Sequence, residues 1–325
     1  MPIIQCDFNP SLPFKNGHFN TVYRALFMKD EINYTRKRVT TWDNDFIDLD
    51  FSTVNSKSIA LLIHGLEGSS QSNYMVSTTN ILNNAGTDVV CMNLRGCSGE
   101  DNLLLETYHS GKTDDVEFII NYIVNNYNYE NIIVVGFSLG GNLTLKYLGE
   151  FNTIPEQVKG AVAVSVPIDL TSSQAELTKI KNKLYMTEFL RTMKLKLLEK
   201  ADKFPEFELN RELLFKATKF RHLEKQYTVP VFGFESSEDY WEKASSKPYI
   251  SKINRKTLLI NALDDSFLSP ECYPYNEAKN LKEFYLMTPK YGGHVGFAQS
   301  FNNQENKWVE NQILSFIQNH LFIDL

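Results

Sequence analysis

Ser138 stands between two glycines in Gly-Phe-Ser-Leu-Gly, residues 136–140. The segment around it, IIVVGFSLGGNLTLKYL, begins as an apolar β-rich run and continues with helical spacing. A hydroxyl so placed is either an activated nucleophile or part of a tight turn. Strand, sharp turn and helix together would expose the serine at the top of a sheet. Gly136 and Gly140 leave room for such a turn, because a Cβ at either would crowd neighbouring backbone. The N-terminus of the following helix adds partial positive charge near a developing oxyanion. The hydroxyl alone is a poor nucleophile at neutral pH. It needs a base, a group that orients the base, and donors for the oxyanion.

For the chain order serine, acid, histidine, the base must come late. His294, in YGGHVGF, fits that place. His18, His64 and His109 precede the serine, His222 falls in a helical insertion, and His320 lies in the C-terminal helix. The orienting acid should follow the strand before His294, where NALDDSF offers Asp264 and Asp265 directly after TLLI. Two adjacent acids point in different directions, so one of them holds the imidazole. Asp264, at the end of Asn261-Ala-Leu-Asp, is the preferred one, and Asp265 is read as a loop residue that caps the next segment. The expected oxyanion donors are the N–H of Leu139, next to the nucleophile, and the N–H of Leu66, in the LEGSS loop after LLIHG. His64 in that motif is read as a structural hydrogen-bonding residue.

Other chemistry finds little support. GKT at 111–113 has the ending of a phosphate loop, but the required earlier glycine would fall at Glu106 and no apolar strand precedes it. There is no His-Glu-x-x-His and no acidic calcium loop, so neither a metal nor an organic cofactor is expected. The formal charge of −6 and the sequence pI of about 5.6 disfavour nucleic acid as a partner. Cys6, Cys91, Cys97 and Cys272 show neither metal-ligand spacing nor a disulfide framework. Cys91 lies in an apolar run and should pack there. Free thiols point to a reducing compartment. The first residues lack a secretory pattern, and no apolar run approaches the ~20 residues of a membrane span. The expectation is a soluble, cytoplasmic protein without stable membrane insertion; peripheral contact through the insertion is an open reading.

These residues need a frame. Residues 36–51 read as two strands joined by an Asp-Asn turn. Apolar runs at 58–65, 87–96, 131–137, 160–167, 256–265 and 283–289 read as strands buried on both faces, as in a parallel sheet. Between them, Val116, Ile119, Ile120, Ile123 and Tyr127 follow helical spacing, as do Val309, Ile313, Phe316 and Ile317. This alternation predicts an α/β fold with helices on both sheet faces, and a ligand site at the carboxyl ends of the strands. The alternation stops over about 169–247. That stretch begins as helix, with no strand before VPVFGF at 229–234, and reads as a lid. Residues 171–203 hold eight Lys/Arg and four Asp/Glu. They make either a solvated helix face or a basic cap that approaches anionic lipid or substrate. Leu177, Ile180, Leu184, Met193 and Leu197 either line an acyl site or pack the cap onto the core.

Taken in order, NGHFNTVYRALF, TWDNDFIDLDF, LLIHGLEGSSQSNYM, NLRGCSGE, YHSGKTDD, GFSLGGNLTLKYLGE, NALDDSFLSPE and YGGHVGF resemble the YheT-like branch of the α/β-hydrolase superfamily, related to mammalian abhydrolase-domain lipases. The resemblance covers most of the chain. It implies an α/β-hydrolase fold with a helical cap, and a nucleophile, acid and base at Ser138, Asp264 and His294. The layout expected is one domain over 1–325, with an N-terminal extension of about 1–35 and a cap of about 169–247. The activity implied is that of a carboxylic ester hydrolase acting on a small-molecule or lipid-like ester through an acyl-enzyme. Thioesterase or acyl-transfer action by the same residues is the alternative, and a binding protein that kept the fold is the rival from another class.

Overall fold

The computed structural model describes residues 2–321. Its centre is a nine-stranded sheet. The strands and main helices, in chain order, are β1 (Ile3–Ile4), α1 (Gly17–Phe27), β2 (Thr35–Thr40), β3 (Phe46–Ser52), β4 (Ser58–Ile63), α2 (Asn73–Asn84), β5 (Asp88–Asn93), α3 (Thr113–Asn126), β6 (Asn131–Phe137), α4 (Leu139–Glu150) and β7 (Val158–Val164). Then come the cap helices α5 (Leu170–Leu177), α6 (Lys183–Lys203), α7 (Arg211–Lys216), α8 (Phe220–Glu224), α9 (Thr228–Phe232) and α10 (Ser237–Ala244), followed by β8 (Lys256–Ile260), α11 (Tyr275–Asn280), β9 (Phe284–Met287) and α12 (Trp308–Phe316). The spatial order is β1-β9-β8-β7-β6-β4-β5-β3-β2. The β2–β3 hairpin is antiparallel and β3 runs antiparallel to β5; every other pairing is parallel.

The two-faced apolar runs form the middle of this sheet, as their composition demands. On β4, Ile59, Leu61 and Ile63 face the side covered by α3 and α4, where Val116, Ile119, Ile120 and Ile123 pack. Ala60 and Leu62 face the opposite side, with Met75 and Leu82 of α2 and Val309, Ile313 and Phe316 of α12. Cys91 packs on that second face. Leu62 is fully buried, and Leu62→Ala should leave a cavity that cannot collapse within a paired strand. The expected loss is about 3 kcal/mol of unfolding free energy, seen as a lower urea midpoint at unchanged slope.

One local expectation is corrected. VPVFGF is no strand: residues 228–232 form α9, and Gly233 ends it in the left-handed region at φ 72°. β7 pairs directly with β8, so the sheet has no slot for the segment between them. Val231 and Phe232 pack instead into the cap's own apolar cluster. The cap does begin as helix, in two pieces. α5 ends at Leu177, and buried Asn182 turns the chain, its amide donating to the carbonyls of Glu176 and Ser266.

The basic excess of the cap is largely paired within the protein, with Lys200 buried and Lys194 and Lys196 half-buried. Lys200 donates to the Leu104 carbonyl and to the carbonyl and side-chain oxygen of Asn102, Lys203 pairs with Asp101, and Lys196 pairs with Glu67. Lys179 and Lys181 pair with Glu176, Arg191 pairs with Glu188, and Lys194 donates to the carbonyls of Phe215 and Ala217. Among the described residues, only Lys183 of the eight cations in 171–203 lacks such a contact. No helix of the described residues is long and apolar enough to cross a membrane.

Candidate active site

β6 ends at Phe137 and α4 begins at Leu139, so Ser138 alone makes the turn between them. It does so at φ 52° and ψ −117°, a conformation that costs a non-glycine residue roughly 1–3 kcal/mol and is held by its surroundings. The two glycines permit it. A Cβ on Gly136 would lie 2.3 Å from the Gly140 carbonyl oxygen, and one on Gly140 would lie 2.2 Å from the Ile63 carbonyl oxygen. The Ser138 N–H donates to the Val164 carbonyl at 2.8 Å, tying the turn to β7.

His294 Nε2 lies 2.8 Å from Ser138 Oγ, and His294 Nδ1 lies 2.8 Å from Asp265 Oδ2. The acid that meets the imidazole is therefore Asp265, and the preference for Asp264 is corrected. The chain turns after β8, with the Asp265 N–H returning to the Ala262 carbonyl. This turn sends the Asp265 side chain inward, where it is fully buried, and its second oxygen accepts the Phe267 N–H at 2.9 Å. Asp264 Oδ1 accepts the Gly293 N–H at 2.8 Å, so Asp264 holds the backbone of the histidine loop instead of the ring. Among the described residues, its other oxygen is buried without a partner. Burial raises the Asp264 carboxyl to about 6; the Gly293 N–H opposes this shift and the neighbouring Asp265 charge adds to it.

Several residues that shape the loop had no signature in sequence. The His294 N–H donates to Thr21 Oγ1 on α1, and the Val295 N–H donates to Ser165 Oγ just after β7. Gly293 sits at φ 61°, and a Cβ there would meet the Gly17 carbonyl oxygen at 2.2 Å, so α1 presses directly on the loop. Asn20 exchanges hydrogen bonds with the backbone of Ala298, and buried Arg24 donates to the Gly296 carbonyl and pairs with Glu310. The N-terminal segment thus buttresses the histidine loop, while β1 extends the sheet edge beside β9. Phe267 stacks on the His294 ring with centroids 4.2 Å apart.

The loop after β4 crosses Ser138 closely: a Cβ on Gly65 would lie 3.1 Å from the Ser138 Cβ. Leu66 follows it. Among the described residues, the Leu66 and Leu139 amides make no hydrogen bond, and both residues line the cavity that contains Ser138 and His294. His64 is structural, as expected. Its Nε2 accepts the Leu94 N–H at 3.0 Å, which leaves the proton on Nδ1 to be donated to the Gly65 carbonyl at 2.7 Å. Burial lowers its pKa to about 4, so the ring stays neutral.

The cavity, about 510 Å³, lies between sheet and cap. Leu177, Met193 and Leu197 line it, whereas Ile180 and Leu184 are 89% and 70% exposed and do not. Among the described residues, no group of His, Cys, Asp and Glu is arranged to hold a metal ion.

A family model described as the alpha/beta hydrolase fold matches residues 61–300. The chain is an α/β-hydrolase. Within the superfamily it belongs to the YheT-like branch. The hydrolase is 30% identical over 323 residues to YheT of Escherichia coli (strain K12), provisionally named an esterase, with 97% of this chain and 94% of that one covered. It is 26% identical to the human phospholipase ABHD3, covering 98% of this chain and 80% of that one. In fold the hydrolase is similar to the Pyrococcus furiosus esterase PF2001, with a TM-score of 0.60 at 17% identity over 89% of this chain and 92% of that one.

Proposed function

We propose that this hydrolase cleaves carboxylic esters with an apolar, lipid-like acyl part by way of an acyl-enzyme on Ser138. The observation that carries the reading is the continuous path Asp265–His294–Ser138, with 2.8 Å at each step. His294 Nε2 takes the proton of Ser138 Oγ as the oxygen attacks the ester carbonyl. Asp265, buried and already accepting the Phe267 N–H, fixes the ring with its proton on Nδ1 and stabilises the imidazolium that forms. The Leu66 and Leu139 amides donate to the tetrahedral oxyanion, aided by the positive end of α4. Collapse of the intermediate expels the alcohol, which takes its proton from His294. Water deprotonated by the same nitrogen then attacks the acyl-enzyme and releases the acid and free Ser138.

An apolar acyl part is supported by Leu177, Met193, Leu197, Phe189 and Trp241 around the cavity, since apolar walls favour a chain that leaves water. The names of the esterase and phospholipase relatives agree with ester cleavage. A fluorophosphonate probe should attach once, at Ser138, as mapped by peptide mass spectrometry. A panel of esters graded in acyl length would then show which chain the cavity accepts. No adduct, or an adduct on another residue, would reject the assignment.

A further inference from the structure

The turn that carries Leu66 is held by a residue in a conformation its type does not favour. Glu67 has φ 55°, and a non-glycine side chain stays there only under external constraint. The turn is pinned at both ends: the Gly65 N–H donates to the Tyr74 hydroxyl at 2.9 Å, and the Gly68 N–H donates to the Gly65 carbonyl at 3.0 Å. Its middle depends on side chains. The Glu67 N–H donates to the Tyr108 hydroxyl at 3.0 Å, and that hydroxyl donates to Glu67 Oε1 at 2.7 Å. The third member comes from the cap. Lys196 of α6 places Nζ 3.1 Å from the same Oε1, and 3.3 Å from Cys97 Sγ. The Glu67 side chain is 8% exposed. Burial pushes the Cys97 thiol up to about 11, so it is a neutral neighbour. Among the described residues, Lys196 is thus the only cation that pairs with this largely desolvated carboxylate.

We propose that Lys196 is a positioning residue, acting through Glu67 to hold the turn so that the Leu66 N–H points at the reacting carbonyl. The inference rests on the role proposed for Ser138 and Leu66, and adds that the cap takes part in building the oxyanion site. Without the ammonium, the buried carboxylate seeks solvent, Glu67 relaxes from its left-handed conformation, and the adjoining Leu66 peptide rotates. Lys196 makes no bond to the nucleophile, so its effect should fall on the transition state and leave ground-state binding nearly unchanged.

The test compares Lys196→Met, Lys196→Arg, Glu67→Gln and the double variant Glu67→Gln/Lys196→Met, using an ester the wild type cleaves. Full loss of an oxyanion donor costs roughly 100- to 1,000-fold in kcat. A displaced donor should cost less, about 30-fold for Lys196→Met with KM within about threefold. Lys196→Arg, which keeps the cation, should recover kcat to within about threefold of wild type. The double variant should be no slower than the slower single variant, because two partners removed together leave no buried charge unpaired. Hydrogen exchange of the Leu66–Gly68 amides should quicken in Lys196→Met while β6 stays protected. Unchanged kcat with unchanged exchange overturns the proposal. So does a loss confined to KM, which would make Lys196 a wall of the cavity only. If the wild type takes no fluorophosphonate and cleaves no ester, the Ser138 reading fails, and the exchange measurement alone decides whether Lys196 holds the turn.

Discussion

Ser138→Ala is expected to lower kcat by about a million-fold on any ester the wild type cleaves, with KM nearly unchanged. The size follows from the proposed mechanism, in which the three side chains work as one unit. Once Ser138 Oγ is gone, His294 has no hydroxyl to deprotonate, and the buried carboxylate behind it has no imidazolium to stabilise. What survives is the oxyanion site and the binding of the ester, together worth roughly 1,000- to 10,000-fold over water in comparable enzymes. The losses should therefore not multiply: Ser138→Ala/His294→Ala is expected to match Ser138→Ala alone. A double variant slower by a further factor of about a hundred would mean that His294 acts on another nucleophile, such as water directly. The fold should tolerate the change, since alanine keeps the Cβ and the Ser138 N–H bond to Val164 is backbone only. The denaturation midpoint checks this.

Ser138 could be found from sequence because its geometry is encoded locally. The close approaches that demand glycine at 136 and 140 involve the turn itself and the neighbouring strand, and the preceding strand is an unbroken apolar run. β4 to β8 were legible for the same reason: both of their faces are buried, so apolar residues fill their centres. His294 followed from chain order. Legibility fails where direction depends on distant contacts. The choice between Asp264 and Asp265 is made by a turn whose outer side is packed by α1, as a Cβ on Gly17 would lie 2.3 Å from the Asp264 carbonyl oxygen. Nothing within NALDDSF carries that information. VPVFGF has strand composition, but the pairing of β7 with β8 left it no partner. The lysines of α6 look like a solvated face until the turn of residues 65–68 and the loop of residues 97–104 are placed beneath them, where Lys196 finds Glu67 and Lys200 finds Asp101 and the Leu104 carbonyl.

The adjacent acids should separate sharply when each is changed alone. Asp265→Asn is expected to lower kcat by about 10,000-fold. An amide at 265 can present its N–H to Nδ1, which turns the imidazole to the tautomer with its proton on Nε2, facing Ser138 Oγ. That ring cannot accept the serine proton, although the packing of Phe267 on His294 and the loop geometry persist. Asp264→Asn should keep kcat within about threefold of wild type, because the asparagine carbonyl can still accept the Gly293 N–H in a bond that does not touch the ring. Stability should separate them as well. Burial raises the Asp264 carboxyl to about 6, above its ordinary value, so the fold favours the neutral form. The stability this contributes is present below about pH 4 and lost as the pH rises through 6. An uncharged asparagine escapes that loss. Asp264→Asn should thus match wild type near pH 4 and exceed it at pH 7, by about 1 kcal/mol once solvent screening of this partly exposed group is allowed for. Urea unfolding at the two pH values measures the difference. Equal losses of kcat in the two variants would mean that neither carboxylate is specifically the partner of His294, and that the 2.8 Å contact to Asp265 does not govern its protonation.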